Sequence, residues 1–248
     1  MHAPSPTGIL KTLYVEPLDA LAPPLIAATP PSEAISVAAL LAPDRLQRAV
    51  ENFGRQYIKQ DRRGAASQWS KWYFNTLLVP ALLANLLLER ELCLIPERLY
   101  VTLNAQSRPE RLILRNEGAP LTSHEPFERF AHLMNDALTP MIKALASISG
   151  ASPRVFWSNA GNTFETLTSQ LHRHPAAEQD AGAPARQLLE RRILPGGRCN
   201  PLYRPVRYIE QLDGSRKRVR RLCCIRYLIP ELDYCGNCPL LKPSTRNI

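Results

Sequence analysis

Among the eleven glycines of this 248-residue chain there is no G-x-G-x-x-G and no G-x-x-x-x-G-K run. The sequence therefore offers no recognisable cradle for a dinucleotide, a flavin or a nucleoside triphosphate. Long hydrophobic runs are also missing. The longest, Leu77–Leu88, has twelve residues and is interrupted by Pro80 and Asn85. That falls short of the ~20 apolar residues a membrane span needs, so the run reads as a buried core helix. Residues Met1–Leu21 lack a basic region followed by an apolar stretch and a small-residue cleavage site, so no signal peptide is expected. The expected compartment is the cytoplasm, with at most peripheral membrane contact. There are no internal repeats. Acidic residues are in short supply, 22 against 31 Lys and Arg, which gives a net charge of +9.

That surplus is local. Between Arg186 and Arg226 there are twelve Lys and Arg and three Asp and Glu, so this stretch alone carries twelve minus three, or +9. Four of the six cysteines, Cys223, Cys224, Cys235 and Cys238, lie in or just beyond it, within sixteen residues. In a reducing compartment such clustering points to a metal or redox site rather than to disulfides. Cys93 and Cys199 stand alone and read as small hydrophobes.

The patterning predicts an α+β fold: a mainly helical body with a short hairpin, followed by a small β-hairpin carrying the cysteines. Residues 1–31, rich in Pro and Ala, read as an extended tail or strap. Residues 32–194 read as the body. A helix is expected from Ser32, broken at Pro43, then a second helix capped by Asp44 through about Tyr57, with Leu46, Val50, Phe53 and Tyr57 on one face. An apolar helix covers residues 65–93. Arg98–Leu103 and Arg111–Arg115 read as a hairpin. Helix resumes from Pro126 to about Ser149, kinked at Pro140 and ended by Gly150. Arg154–Trp157 reads as a short strand, followed by helices through His172 and over Ala185–Ile193. Pro195-Gly196-Gly197 marks the boundary of the last segment, 195–248. There Arg204–Leu212 and Arg216–Leu228 read as two arms joined at Asp213-Gly214, with the cysteine pair on the second arm.

The chemistry concentrates in Cys223-Cys224, ten residues, Cys235-Gly236-Asn237-Cys238. A tight turn can bring the last two sulfurs to one side, and Gly236 and Asn237 both tolerate a left-handed conformation there. Neighbouring side chains on a strand point to opposite faces, so Cys223 and Cys224 reach one centre only across a kink. A two-iron cluster, with its sulfur ligands more widely spread, eases that geometry. Spacing alone leaves [2Fe–2S] and a structural zinc site open, since four thiolates suit either. A dithiol pair at Cys235 and Cys238 lacks the expected βαβ surroundings, and Pro239 in place of His excludes c-type haem. Arg220, Arg221 and Arg226 flank the pair and favour thiolate.

The segment RLCCIRYLIPELDYCGNCPL resembles the terminal signature of the ferric-siderophore reductase family (FhuF type), with every cysteine spacing matched. SQWSKWYFNTLLVPALLANLL (Ser67–Leu87) is similar to that family's helical core, and Val155-Phe156-Trp157-Ser158-Asn159-Ala160 to its Trp-x-Asn stretch. Together the likeness spans about residues 65–240. It implies a [2Fe–2S] cluster on Cys223, Cys224, Cys235 and Cys238. It further implies one-electron reduction of siderophore-bound Fe(III) to Fe(II), which releases iron. With no nucleotide motif present, the electrons must come from a separate donor protein or reductant. The basic segment is a candidate docking face for an acidic donor or an anionic ferric complex.

The competing reading is a non-enzymatic four-cysteine zinc module whose basic surface contacts nucleic acid. Against it, the body is near neutral and the basic stretch has only Tyr203, Tyr208 and Tyr227 as interleaved aromatics; no nucleic-acid partner is expected. A relative of siderophore-biosynthesis enzymes is a third reading, but their ATP-binding portion has no counterpart here. His132, His172 and His174 have no metal-pair spacing. Trp69, Trp72 and Trp157 read as core.

Overall fold

The computed structural model describes residues 8–59, 61–211 and 213–241. Residues 1–7 of the expected tail and 242–248 at the other end lie outside the described residues. Ile9–Leu13 forms a 3-10 turn that buries Leu10 and Leu13 in the core. His174, itself buried, hydrogen-bonds the Leu13 carbonyl through Nε2 at 2.8 Å, so the strap lies on the body.

The helix expected from Ser32 begins later. Leu25–Ile26 (β1) and Ile35–Ser36 (β2) are short strands. The Ser36 hydroxyl then accepts from the Ala39 N–H at 3.1 Å and caps Val37–Leu40 (α1). Pro43 opens Pro43–Gly54 (α2) rather than breaking a helix, as its fixed φ allows at a first turn. Asp44 sits in that first turn without capping it. Leu46, Val50 and Phe53 of α2 are buried as the stripe predicts.

Arg62–Leu87 (α3) is the central element. The Asp61 carboxylate accepts from the Arg63 and Gly64 N–H groups at 2.9 and 3.1 Å and starts it. From Ala65 to Leu86 most of its residues are buried, so the apolar run is core. Among the described residues no helix is long and apolar enough to cross a membrane. Arg90–Glu91 (β3), Tyr100–Leu103 (β4), Pro109–Leu114 (β5) and Ala119–Pro120 (β6) follow. The expected hairpin is β4–β5, inside a four-stranded sheet ordered β1-β5-β4-β2, with β1 parallel to β5. The helix expected over 126–149 is broken. A 3-10 turn at Glu128–Phe130 and a π-turn at Leu133–Leu138 precede Thr139–Ser149 (α4). Pro140 has no N–H to give, and the wider turn absorbs the missing bond. Gly150 closes α4 with φ +74°.

Arg154–Trp157, expected as a strand, is the first turn of Pro153–Gln170 (α5). Ser152 caps it and Pro153 sits at its first position. An apolar run this short carries no period, so the cap decides. Ala183–Glu190 (α6), Val206–Glu210 (β7) and Arg216–Arg220 (β8) complete the chain, with β7 and β8 antiparallel. The fold is α+β as expected.

The final segment lies across α3 and α5 at two glycines. A Cβ on Gly64 would stand 3.0 Å from Ile229 Cγ1, and one on Gly161 would stand 2.8 Å from Pro205 Cβ. Gly161→Ala gains about 1 kcal/mol of helix propensity. The clash with a rigid proline ring costs roughly 1–3 kcal/mol and should win. Thermal unfolding is expected at a lower midpoint for Gly161→Ala; an unchanged or raised midpoint would contradict so close an approach.

Candidate metal centre

β8 ends at Arg220, so Cys223 and Cys224 do not lie on a strand arm as expected; they follow it in a bent stretch. Ile225 then adopts φ +51°, which a β-branched side chain resists. This bend follows the cysteine pair rather than lying between its two members. The Ile225 N–H points back to Cys223 Sγ at 3.2 Å. Cys235–Cys238 forms a turn closed by the Cys238 N–H on the Cys235 carbonyl at 2.9 Å. Neither Gly236 nor Asn237 takes a positive φ, so the turn does without the left-handed residue expected of it. The Leu240 N–H approaches Cys238 Sγ at 3.4 Å.

The sulfurs lie in pairs. Cys224 and Cys235 have their Sγ atoms 3.8 Å apart, and Cys238 is among the groups that face Cys223. Two thiolates at ~2.3 Å from one tetrahedral metal atom stand roughly 3.8 Å apart, so the first pair has the spacing of two ligands on one atom. Among the described residues no three His, Cys, Asp or Glu side chains are grouped to hold a single ion. Cys224 and Cys238 are buried, Cys223 and Cys235 partly so.

Cations on two elements face these sulfurs. Lys71 of α3 places Nζ 3.2 Å from Cys224 Sγ and 3.1 Å from the Gln68 amide oxygen. Arg220, 2% exposed, has Cys224, Cys235 and Cys223 as its nearest opposing groups. The Cys235 thiol hydrogen-bonds Cys224 and lowers its pKa to about 4, with Lys71 and Arg220 adding to the effect. The same bond, together with burial, drives Cys235 up. Burial pushes Cys223 up. Burial also pulls Lys71 and Arg220 down, and the cysteines push both back. Of the three arginines singled out in the sequence, Arg220 alone is buried against the sulfurs. Arg221 is exposed and lies over Tyr203. Arg226 is half-buried, with its Nε unpartnered.

Two buried N–H groups beside the cysteines have no partner, Gln68 Nε2 and Arg220 Nε. Orphaned donors of this kind are expensive unless something accepts from them. A cluster with bridging sulfides is such an acceptor, and the four-thiolate donor set fits it.

The sequence reading missed the polar face of α5 that holds this segment. Asn159, 1% exposed, donates from Nδ2 to the Ser67 carbonyl and to the Ser67 and Ser70 hydroxyls at 3.0, 3.1 and 2.9 Å. Its Oδ1 accepts from Arg220 Nη2 at 2.5 Å. The Ser67 hydroxyl donates to the Cys224 carbonyl at 2.6 Å, and the Ser158 hydroxyl donates to the Leu222 carbonyl at 2.9 Å. Asn162 Oδ1 accepts from Asn237 Nδ2 at 2.7 Å and from Arg218 Nη1 at 3.1 Å. Glu165 pairs with Arg218 and accepts from the Tyr208 hydroxyl. Small polar residues at helical spacing inside apolar helices were the available signal.

Residues 67–215 match the family described as "Ferric iron reductase FhuF-like transporter", and residues 220–240 match its "FhuF 2Fe-2S C-terminal domain". The chain belongs to the FhuF family of ferric iron reductases. A protein named "Ferric siderophore reductase" from Escherichia coli (strain K12) is 30% identical over 187 residues, covering 73% of this chain and 67% of that protein. The cofactor of the family's C-terminal domain is a [2Fe–2S] cluster, which decides between iron–sulfur and zinc for this cysteine segment. Asn159 of the Trp-x-Asn stretch is then a positioning residue: it ties α3, α5 and the cluster segment together. Cys93 is half-buried, and Cys199 is exposed rather than a buried hydrophobe. Trp69 is fully buried, Trp157 is partly buried against the core, and Trp72 is 44% exposed, contrary to its reading as core. His132 pairs with Asp136 at 2.6 Å.

Replacing Asn159 by Ala removes one of the two acceptors of Arg220 Nη2 and costs about 1–3 kcal/mol. A lower unfolding midpoint and earlier proteolysis within residues 198–241 are expected. Unaltered proteolysis would mean the segment is held by other contacts.

Proposed function

We propose that this chain reduces siderophore-bound Fe(III) to Fe(II) in the cytoplasm, one electron at a time. In this reading Cys224 with Cys235 and Cys223 with Cys238 hold the [2Fe–2S] cluster as two pairs of ligands. Residues 195–248 form the cluster-bearing segment on a body of residues 32–194. The observation that carries the reading is the 3.8 Å sulfur pair beside a half-buried lysine and a buried arginine, within the stretch matched to the family's 2Fe-2S domain. The relative named a ferric siderophore reductase supports the substrate class.

The bound cluster supplies single electrons at a potential the protein can tune. The chain's own residues do the tuning. Lys71 gives an N–H to Cys224 Sγ and puts positive charge beside it, as does Arg220. Both favour the reduced, more negative state. The Ile225 and Leu240 N–H groups add hydrogen bonds to Cys223 and Cys238. Burial of Cys224 and Cys238 keeps water from that side. Fe(III) bound by anionic oxygens loses charge on reduction, its bonds weaken, and the ferrous ion leaves. For a one-electron step, ~59 mV changes the equilibrium constant tenfold.

Electrons come from a separate donor. Arg207 and Arg216 are exposed on β7 and β8, and Arg221 follows just beyond. Arg218 of the same hairpin is neutralised by Glu165. The free cations suit an acidic donor protein, whose docking would weaken with salt.

The test is single turnover. The dithionite-reduced chain, mixed anaerobically with a ferric siderophore and a ferrous chelator, should re-oxidise its cluster and yield one ferrous ion per electron. A cluster that stays reduced would refute the reading. Replacing Cys223, Cys224, Cys235 or Cys238 by Ser should abolish the visible absorption while far-ultraviolet circular dichroism still reports the helices. For Lys71→Met, a redox titration followed by EPR should give a reduced-to-oxidised ratio lower by about tenfold at fixed potential, or ~59 mV. An unmoved midpoint would remove Lys71 from the tuning.

A further inference from the structure

A cleft of about 250 Å³ opens between α3, the β4–β5 hairpin and the strap, and no residue of the cysteine segment lines it. Its floor is α3, through Trp72, Asn75, Thr76, Val79 and Pro80. One wall is the β4–β5 hairpin at Arg108–Glu110, and the other is the strap at Tyr14 and Ala20–Ala22. The Trp69 indole N–H donates to the Ser107 carbonyl at 2.8 Å and pins the hairpin loop to α3. This sets the Arg108 guanidinium over the Trp72 ring, 4.3 Å from its centroid.

Three features of the cleft ask for a ligand. Trp72 is 44% exposed, on a helix whose other residues are mostly buried. Arg108 Nε is buried and has no partner. Pro80 has no N–H for the Thr76 carbonyl, which leaves that main-chain acceptor short of its helical bond. An indole capped by a guanidinium offers a flat, cation-bearing platform, the form that binds planar conjugated groups carrying negative charge. Whole small ligands fill roughly 300–1,000 Å³, so a cleft of this size takes one arm of a larger molecule and leaves the rest in solvent. Trp72 follows Lys71, whose ammonium reaches Cys224 Sγ, so α3 contributes one residue to the cleft and the one before it to the cysteine site on a different face.

We propose that this cleft, with Trp72 and Arg108 as its anchors, binds one planar chelating arm of the ferric siderophore, a hydroxamate or a catecholate. The assignment rests on the reductase reading above. The arm packs against the part of the indole that Arg108 leaves exposed, Arg108 hydrogen-bonds its oxygens, and Asn75 and Thr76 set its edge.

Gallium(III) complexes of a trihydroxamate and of a tricatecholate siderophore test it, because gallium keeps the charge and shape of the ferric complex and is not reduced. Binding to the cluster-loaded full chain is measured by calorimetry, with quenching of tryptophan fluorescence as a second readout. Trp72→Ala and Arg108→Gln should each weaken binding of at least one complex about tenfold. Trp72→Phe should keep most of the affinity. In all three variants the cluster's visible spectrum should match the parent. Parent-like affinity in both Trp72→Ala and Arg108→Gln would overturn the assignment. So would absence of binding to the parent chain, or loss of binding on replacing Tyr234, exposed beside Cys235, by Ala alone, which would move the ligand to the cysteine rim. Re-oxidation of the dithionite-reduced cluster by the ferric complex, followed in the same samples, reports on the reductase reading separately.

Discussion

Asn159 and Ser67 face each other across the junction of α3 and α5, and the cysteine segment hangs from that junction. Among the described residues the segment has only a 3-10 turn at Arg226–Leu228 beyond β8, so its own backbone cannot fix where the sulfurs go. Position comes instead from side chains of two rigid helices. Ser67 and Ser158 accept the task of satisfying the Cys224 and Leu222 carbonyls, and Asn162 holds Asn237 of the closing turn. Buried hydrogen bonds of this kind add modestly to stability when made and cost heavily when broken. Their value here is specificity of placement, which a redox centre needs more than it needs extra stability.

The same junction sets the electrostatics. Arg220 is fixed by Asn159 and Ser158 on one side and faces the thiols on the other. Lys71, one turn after Ser67 on α3, reaches Cys224 directly. A buried arginine and a half-buried lysine beside four cysteines, with Gln68 Nε2 and Arg220 Nε left without partners, make a pocket suited to a negatively charged cluster. The exposed cations lie on β7, at the start of β8 and just beyond it, so charge that tunes the site and charge available for docking come from the same basic stretch. Arg218 and Arg220 alternate along β8 and turn inward toward α5, while Arg216 stays exposed.

Much of this was legible in the sequence because it depends on spacing. The cysteine pattern, the apolar central helix, the β4–β5 and β7–β8 hairpins and the Gly150 stop are all local signals, and each was found. What was missed depends on tertiary contacts or on short segments. Arg154–Trp157 is too short for its period to separate strand from helix, and its Ser-Pro cap was overlooked. The cysteine pair was placed on the hairpin arm because nothing local marks where β8 stops; the left-handed Ile225 that ends the extension is held there by surroundings. Lys71, Ser67 and Asn159 are ordinary residues in their own helices and gain meaning only when the far end of the chain packs on them. Trp72 was read as core from its size, yet the strap and hairpin leave it open to solvent.

The account turns on the four sulfurs holding a pair of iron atoms bridged by sulfide. The most direct measurement is iron and acid-labile sulfide per chain on anaerobically prepared protein, with EPR after reduction. Two irons and two sulfides per chain, and a signal integrating to one unpaired electron, are the expected result. A colourless chain with one zinc, no sulfide and no signal would contradict it.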